Sequence, residues 1–249
     1  MDAPGRAGGW NLVESAFPMG LSAILFDFGG TLDSDGIPWP RRFFPIYRKV
    51  GVAADWNAFL KAFYRSDDSL AQRHRLAGLD LAQTVERQAA GVLEVLAPDR
   101  LELAAEVSRA FTAECRAQFA RNRPVLEALG RRFKLGVVSN FYGNLEELLA
   151  AEGLGTIFAA TADSGAVGSV KPDAAIFRHA LERMGASPEQ ALMIGDSLER
   201  DIRGAEALGM SHAWLDPEGR GVCCASGRTI RSLSELSDLA AEVPAGGPR

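Results

Sequence analysis

The first residues that could carry out chemistry follow an apolar run near the amino terminus. The run 23–26 ends at Asp27, and the glycine pair Gly29 and Gly30 comes next. A strand-end carboxylate beside a cation can attack phosphorus and form an aspartyl-phosphate, which divides one difficult hydrolysis into two easier displacements. We therefore predict that Asp27 is a nucleophile, and the glycines would let the backbone approach a ligand closely.

Two further carboxylates follow a second apolar run. Asp196 comes directly after Met193-Ile194-Gly195, and Asp201 lies five residues later. Hard oxygen ligands on a loop suit Mg²⁺, which keeps several waters and bridges to a substrate phosphate. Asp27, Asp196 and Asp201 are accordingly the predicted side-chain ligands of a magnesium ion.

Polar residues after a third apolar run could bind the phosphate group itself. The run Leu135–Val138 is followed by Ser139 and Asn140, and a helix is expected shortly afterwards. A hydroxyl and a backbone N–H at such a strand end are suitable donors for phosphate oxygens. We predict Ser139, the N–H of Asn140 and, from the first turn, Thr31 and Gly30 as the phosphate-binding groups.

These groups can meet only if the apolar runs form neighbouring strands of one sheet. After Pro124 short apolar runs alternate with helical segments, which is typical of a parallel sheet with right-handed crossovers. Such sheets bind ligands at the carboxyl ends of their strands. The predicted fold is therefore α/β, a doubly wound, Rossmann-like parallel sheet. Its strands are expected near 23–26, 134–138, 157–161, 190–194 and 211–215, and its helices near 143–152, 173–184 and 199–208.

A long segment between the first two strands has a helical rhythm. From Asp33 to about Arg123 apolar residues recur three and four positions apart, Asp55 is a predicted N-cap, and Pro98-Asp99 separates the last two helices. This pattern predicts an inserted helical cap domain. The expected division is a flexible extension over 1–20, a core domain over 21–33 and 124–240, the cap over 34–123 and a flexible tail over 241–249. Met1 and Met19 are both candidate native starts.

Four motifs in this order resemble the haloacid dehalogenase superfamily. They are FDFGGTL at 26–32, Ser139-Asn140, Lys171-Pro172 and Gly195-Asp196-Ser197 with Asp201. The resemblance extends from Leu21 to about Leu239 and implies a magnesium-dependent phosphatase with a helical C1-type cap. It also implies that Lys171, one of four lysines in the chain, is a catalytic cation, and that the main-chain carbonyl of Gly29 coordinates the metal.

One position departs from the family pattern. Phosphatases of this superfamily carry a second Asp two residues after the first, where this chain has Gly29. That carboxylate protonates the leaving group, and the loss of such an acid typically costs about 10² to 10⁴ in rate. The first expectation is that Asp33 or Asp35 from the next loop replaces this acid, and we assign Asp33 as the catalytic residue. The second is that the cap supplies the acid. The third is that the substrate has a good leaving group and needs no acid.

The departure also leaves other functions open. The family's dehalogenases also lack the second Asp. In those enzymes, however, an Asn commonly occupies the position that corresponds to Asp196 here. Its phosphonate hydrolases replace the second Asp with a small residue and form a Schiff base on a cap lysine, for which Lys49 and Lys61 are the candidates. A catalytically weak phosphate-binding regulatory protein is the non-enzymatic alternative.

Composition excludes several classes of partner. The net charge of -5, with 27 basic against 32 acidic residues, argues against nucleic acid. No apolar stretch approaches the roughly 20 residues that span a bilayer, so no membrane association is expected. Cys115, Cys223 and Cys224 form no disulfide framework, which favours a reducing, cytoplasmic location. The expected partner is a small phosphorylated metabolite, and the expected assembly is a monomer or a homodimer.

Overall fold

A computed structural model of the chain describes residues 20–219, 221, 227–237 and 239. The predicted tail 241–249, the candidate start Met19 and nearly all of the predicted extension lie outside these residues. The pair Cys223-Cys224 lies outside them as well. Within the described residues, no helix combines the length and the apolar character that crossing a bilayer requires.

A six-stranded parallel sheet forms the centre of the molecule. The strand order is β3-β2-β1-β4-β5-β6, and every neighbouring pair is parallel. The predicted α/β doubly wound sheet is therefore confirmed. The strands are β1 Ala23–Phe26, β2 Lys134–Ser139, β3 Ala160–Asp163, β4 Ala191–Gly195, β5 Ser211–Leu215 and β6 Arg228–Ile230.

Four helices come between β1 and β2, and four more follow the later strands. The helices are α1 Trp39–Lys49, α2 Trp56–Arg73, α3 Leu81–Leu96, α4 Leu103–Gly130, α5 Leu145–Ala151, α6 Ser164–Val167, α7 Ala174–Met184 and α8 Arg203–Ala207. Wide helical turns at Phe28–Leu32 and Leu198–Ile202 and 3₁₀ turns at Pro98–Arg100, Pro188–Gln190 and Leu233–Leu236 complete the described elements.

The helical insertion begins and ends differently from the predicted segment. The carboxylate of Asp55 accepts a hydrogen bond from Ala58 N at 2.8 Å and caps α2, as predicted. In contrast, α4 continues through Pro124 to Gly130, because the apolar side chains beyond the proline are buried. The predicted division at 123–124 therefore falls inside a helix rather than in a linker, and the domain boundaries themselves stay a prediction.

Two sheet elements differ from the sequence prediction. The strand expected at 157–161 lies at Ala160–Asp163, because Ile157 is in a turn and the first ladder partner of β2 is Ala160, opposite Gly136. The sequence analysis missed β6, which has three residues and pairs with β5. So short a strand has no periodic pattern of its own.

The side chains of β1 show how the sheet connects the two halves of the molecule. Ile24 and Phe26 lie in a buried cluster that continues into the cap helices, whereas Ala23 and Leu25 lie in a second cluster with α7. All four residues are completely buried. The end of β1, where Asp27 follows, is thus fixed from both faces of the sheet.

Candidate functional site

Three carboxylates meet at the carboxyl ends of β1 and β4. Ligand oxygens of Asp27, Asp196 and Asp201 all lie within 4.8 Å of one another, and all three residues are buried. The sheet register explains this proximity, because Phe26 is paired with Ile194 and the two strands end side by side. The structure therefore brings together the three side chains that the sequence predicted as metal ligands.

The glycine turn after β1 makes room for Asp196. Gly30 has a φ angle of +99°, a backbone conformation that residues other than glycine rarely adopt. A Cβ atom at Gly30 would also lie 2.7 Å from both carboxylate oxygens of Asp196. Gly30 is thus needed both for the turn and for the close approach of this carboxylate.

Lys171 provides the positive charge at the centre of the cluster. Its Nζ lies 2.6 Å from Asp27 Oδ1, 2.6 Å from Asp201 Oδ1 and 2.8 Å from the carbonyl oxygen of Val138. Burial alone would lower the pKa of Lys171, but Asp201 and Asp27 raise it above its ordinary value. Lys171 is therefore held as a cation against the predicted nucleophile.

The remaining negative charge is not compensated by the protein groups of the cluster. Burial, followed by the charges of Asp27 and Asp201, raises the pKa of Asp196 well above its ordinary value. Burial also raises the pKa of Asp201, while Lys171 opposes that rise. Three carboxylates face one ammonium group, so the donor set fits a divalent cation, which would supply the missing positive charge.

The predicted phosphate-binding residues lie beside this cluster. The hydroxyl of Ser139 donates to Asp27 Oδ1 at 3.0 Å. The hydroxyl of Thr31 accepts from the backbone N–H of Asp196 at 3.1 Å and is completely buried, so its observed contact positions a carboxylate. A phosphate contact by Thr31 stays a prediction, as do those of Ser139, Gly30 and the Asn140 N–H.

Comparison with known proteins identifies the family. The model of haloacid dehalogenase-like hydrolases matches residues 21–209. This chain belongs to that family. A phosphoserine phosphatase of Thermus thermophilus is 40% identical over 91 residues, which are 36% of each chain. A glyceraldehyde 3-phosphate phosphatase of Methanothermobacter thermautotrophicus is 35% identical over 95 residues, 38% of this chain and 42% of that one.

Solved structures agree with the assignment. A haloacid dehalogenase (HAD) phosphatase from Thermococcus onnurineus has a TM-score of 0.51 and 26% identity, covering 88% of this chain and 97% of that one. The chain spans about a third of the length of the Thermus thermophilus relative. It is thus a member of the HAD-like hydrolase family with phosphatase relatives.

The structure does not favour Asp33 as the general acid of this HAD hydrolase. Its Oδ1 accepts from the N–H of Gly30 at 2.7 Å, and its Oδ2 accepts from Trp39 Nε1 and from an Arg42 nitrogen, each at 2.7 Å. Asp33 is 1% exposed and does not line the cavity that contains Asp27. A carboxylate bonded to a guanidinium and two N–H donors acts as an acceptor, so these contacts give Asp33 a structural role, and its role as general acid stays a prediction that they do not support.

The space beside Gly29 is filled by Trp39. A Cβ atom at Gly29 would lie 3.1 Å from the indole Nε1 of Trp39, and that nitrogen donates to Asp33. The sequence analysis missed this contact because nothing in the spacing of Trp39 and Gly29 indicates that the two residues meet. The indole of Trp39 therefore borders the space that a side chain at position 29 would enter.

Asn140 has a structural role that sequence reasoning also missed. Its side-chain oxygen accepts from Lys171 N at 2.7 Å, and its side-chain nitrogen donates to Lys171 O at 3.2 Å. These paired hydrogen bonds hold the backbone on both sides of the Lys171 side chain. The side chain of Asn140 thus positions the cation, while its backbone N–H is the group predicted to bind phosphate.

Between the core and the cap lies a cavity of about 110 Å³ that contains the predicted nucleophile. Its core wall includes Asp27, Ser139 and Lys171. Its cap wall and its rim are formed by Pro38, Trp39, Pro40, Phe63, Tyr64, Asp67, Phe141, Tyr142 and Arg200. Any substrate that reaches Asp27 must therefore contact groups from the cap.

Proposed function

We propose that this HAD hydrolase is a magnesium-dependent phosphatase that acts on a small phosphorylated metabolite through an aspartyl-phosphate. The observation that carries the proposal is the convergence of Asp27, Asp196 and Asp201 around Lys171 at the end of two adjacent strands. The names of the phosphatase relatives support the same class of substrate.

The protein residues have separate roles in this mechanism. Asp27 attacks phosphorus, and Lys171 holds the attacking carboxylate in place and offsets charge on the phosphate oxygens. The hydroxyl of Ser139 donates to Asp27 in the structure and would donate to a phosphate oxygen when substrate binds. Asp27, Asp196, Asp201 and the carbonyl of Gly29 would hold Mg²⁺, which would stabilise charge on the transferred phosphoryl group.

The alternatives receive less support from the site. The dehalogenases of the family need no metal, whereas three converging carboxylates with one cation favour metal binding. The cap lysines Lys49 and Lys61 are exposed and are not among the described residues that line the cavity, so neither is placed for a Schiff base. A catalytically weak binding protein would retain the same cluster, and a turnover measurement separates it from the phosphatase.

Metal binding gives a direct test of the proposal. We expect Asp196→Asn to raise the Mg²⁺ concentration for half-maximal p-nitrophenyl phosphate hydrolysis by about 10- to 100-fold or more, because a charged ligand is lost. Calorimetric titration of Mg²⁺ should show the same loss without reference to activity. Glu199→Gln is the matched control, since Glu199 lies on the same loop, is exposed and pairs with Arg203. Equal Mg²⁺ affinity in Asp196→Asn and wild type would contradict the proposed ligand set.

Restoring the missing acid should change the preference for leaving groups. We expect Gly29→Asp to raise hydrolysis of alkyl phosphates relative to acetyl phosphate by up to about 10²-fold, because only poor leaving groups need protonation. Since Trp39 Nε1 would be 3.1 Å from the new Cβ, the gain should be larger in Gly29→Asp with Trp39→Phe. The measurement is the ratio of kcat/KM for propyl phosphate to that for acetyl phosphate. A ratio that stays at the wild-type value in both variants would count against an unfilled acid position.

A further inference from the structure

Asp67 is a carboxylate on the cap wall of the cavity that contains Asp27. It lies on α2, and both residues line the same cavity of about 110 Å³, Asp67 from the cap and Asp27 from the core. The position of Asp67 across a small cavity from the predicted nucleophile is the first observation that suggests a catalytic role for it.

Reaction geometry gives the second observation. In phosphoryl transfer the attacking and leaving oxygens are roughly in line on opposite sides of phosphorus. Attack by Asp27 from the core therefore directs the leaving oxygen towards the cap. Asp67 is the carboxylate that the cap contributes to the described cavity lining, so it lies on the side where a proton is needed.

The surroundings of Asp67 shift its pKa towards the protonated form. Burial raises the pKa of Asp67, and the charge of Asp68 adds to that effect, whereas the hydrogen bond from the Tyr142 hydroxyl and the charge of Arg200 lower the pKa. The net direction is upward. A bound phosphate would add negative charge to the same cavity and favour the protonated form further.

The two loop carboxylates predicted from the sequence are placed less well for this task. Asp33 is tied to Arg42 and Trp39. Asp35 lines a different cavity, together with Asp33, Arg42 and Glu114. Gly29 has no side chain and Trp39 borders its position, so an acid must reach the leaving oxygen from another direction.

We propose that Asp67 is the general acid of this enzyme, contributed by the cap in place of the carboxylate that Gly29 lacks. The inference rests on the proposed phosphatase function and adds a substrate class to it: phosphate esters of alcohols, whose leaving groups need a proton. As the bond between Asp27 and phosphorus forms, the bond from phosphorus to the ester oxygen breaks, and that oxygen takes the proton of Asp67. The resulting Asp67 carboxylate accepts a proton from the water that then attacks phosphorus and releases Asp27 and inorganic phosphate.

The test is a leaving-group series with wild type, Asp67→Asn and Asp55→Asn. We expect Asp67→Asn to reduce kcat for propyl phosphate by about 10² to 10⁴. The reduction for acetyl phosphate, whose leaving group needs no acid, should be at least about tenfold smaller. Asp55→Asn is the matched control, because Asp55 is exposed, caps the same helix and lies outside the described cavity lining. It should differ from wild type by less than about twofold in both assays, as exposed polar substitutions usually have small effects.

A pH profile separates a catalytic role from a structural one. Since Asp67 must be protonated, wild-type turnover of propyl phosphate should fall as the pH rises through its pKa, and Asp67→Asn should lack that limb. In Tyr142→Phe the hydrogen bond that lowers the pKa is gone, so the limb should move to higher pH. Three results would overturn the inference. The first is an equal loss for both substrates in Asp67→Asn, and the second is a pH limb that does not move in Tyr142→Phe. The third is a loss confined to phosphorylated amines, which would indicate that Asp67 binds an ammonium group. If wild type hydrolyses neither phosphate with Mg²⁺, the proposed function itself fails.

Discussion

Turnover by the Asp27→Asn variant will be lower than that of wild type by about 10⁴-fold or more, as expected when a covalent nucleophile is removed. The amide cannot attack phosphorus as a carboxylate does, and it forms no ion pair with Lys171, whose Nζ now lies 2.6 Å from Asp27 Oδ1. The measurement is steady-state hydrolysis of p-nitrophenyl phosphate and acetyl phosphate with saturating Mg²⁺.

Asp55→Asn is a suitable control for the Asp27 variant. Asp55 caps α2 from an exposed position, and asparagine is an equally good capping residue. Both variants should remain folded by circular dichroism, and Asp55→Asn should keep wild-type turnover. Substantial activity of Asp27→Asn towards both substrates would assign the chemistry to another group.

Arg42→Met will lower the free energy of unfolding by about 3–5 kcal/mol, because it leaves the Asp33 carboxylate buried without its cation. The guanidinium of Arg42 lies 2.7 Å from Asp33 Oδ2 and 4.3 Å from the centroid of the Phe111 ring. The side chains of Arg42 and Asp33 are 7% and 0% exposed, so water cannot replace the lost contact. Urea denaturation at neutral pH measures the change.

The neighbouring Arg41 provides a matched control on the same helix. Arg41 pairs with Glu218, but both side chains are more than half exposed, so Arg41→Met should change stability by at most about 1 kcal/mol. Adding Asp33→Asn to Arg42→Met should recover part of the loss, because it removes the uncompensated charge. Additive losses in the double variant would show that Asp33 and Arg42 are not coupled.

The sequence predicted the parts of the site that depend on strand ends. Asp27, Asp196 and Ser139 each follow an apolar run directly, and parallel strands that pair in register must bring such residues together. Asp201 was predicted from its position five residues after Asp196, and Lys171 from its resemblance to a family motif. The fold class was predicted from the alternation of short apolar runs and helices, which is typical of a parallel sheet.

The contacts that sequence reasoning missed join residues far apart in the chain. Phe111 and Cys115 of α4 lie against Arg42, which is buried beside Asp33. Trp39 reaches back to Gly29 from the start of α1. Such contacts depend on how the cap packs on the core, and a periodic pattern reports the buried face of a helix without identifying its neighbour.

Trapping of the covalent intermediate tests the central claim most directly. The enzyme is quenched in acid during turnover of acetyl phosphate with Mg²⁺, reduced with borohydride and digested, and the peptides are identified by mass spectrometry. We predict that Asp27 is converted to homoserine, which is the reduction product of an aspartyl-phosphate, and that no other carboxylate is modified. Reduction at a different residue, or a burst of acetate with Asp27 unmodified, would contradict the mechanism.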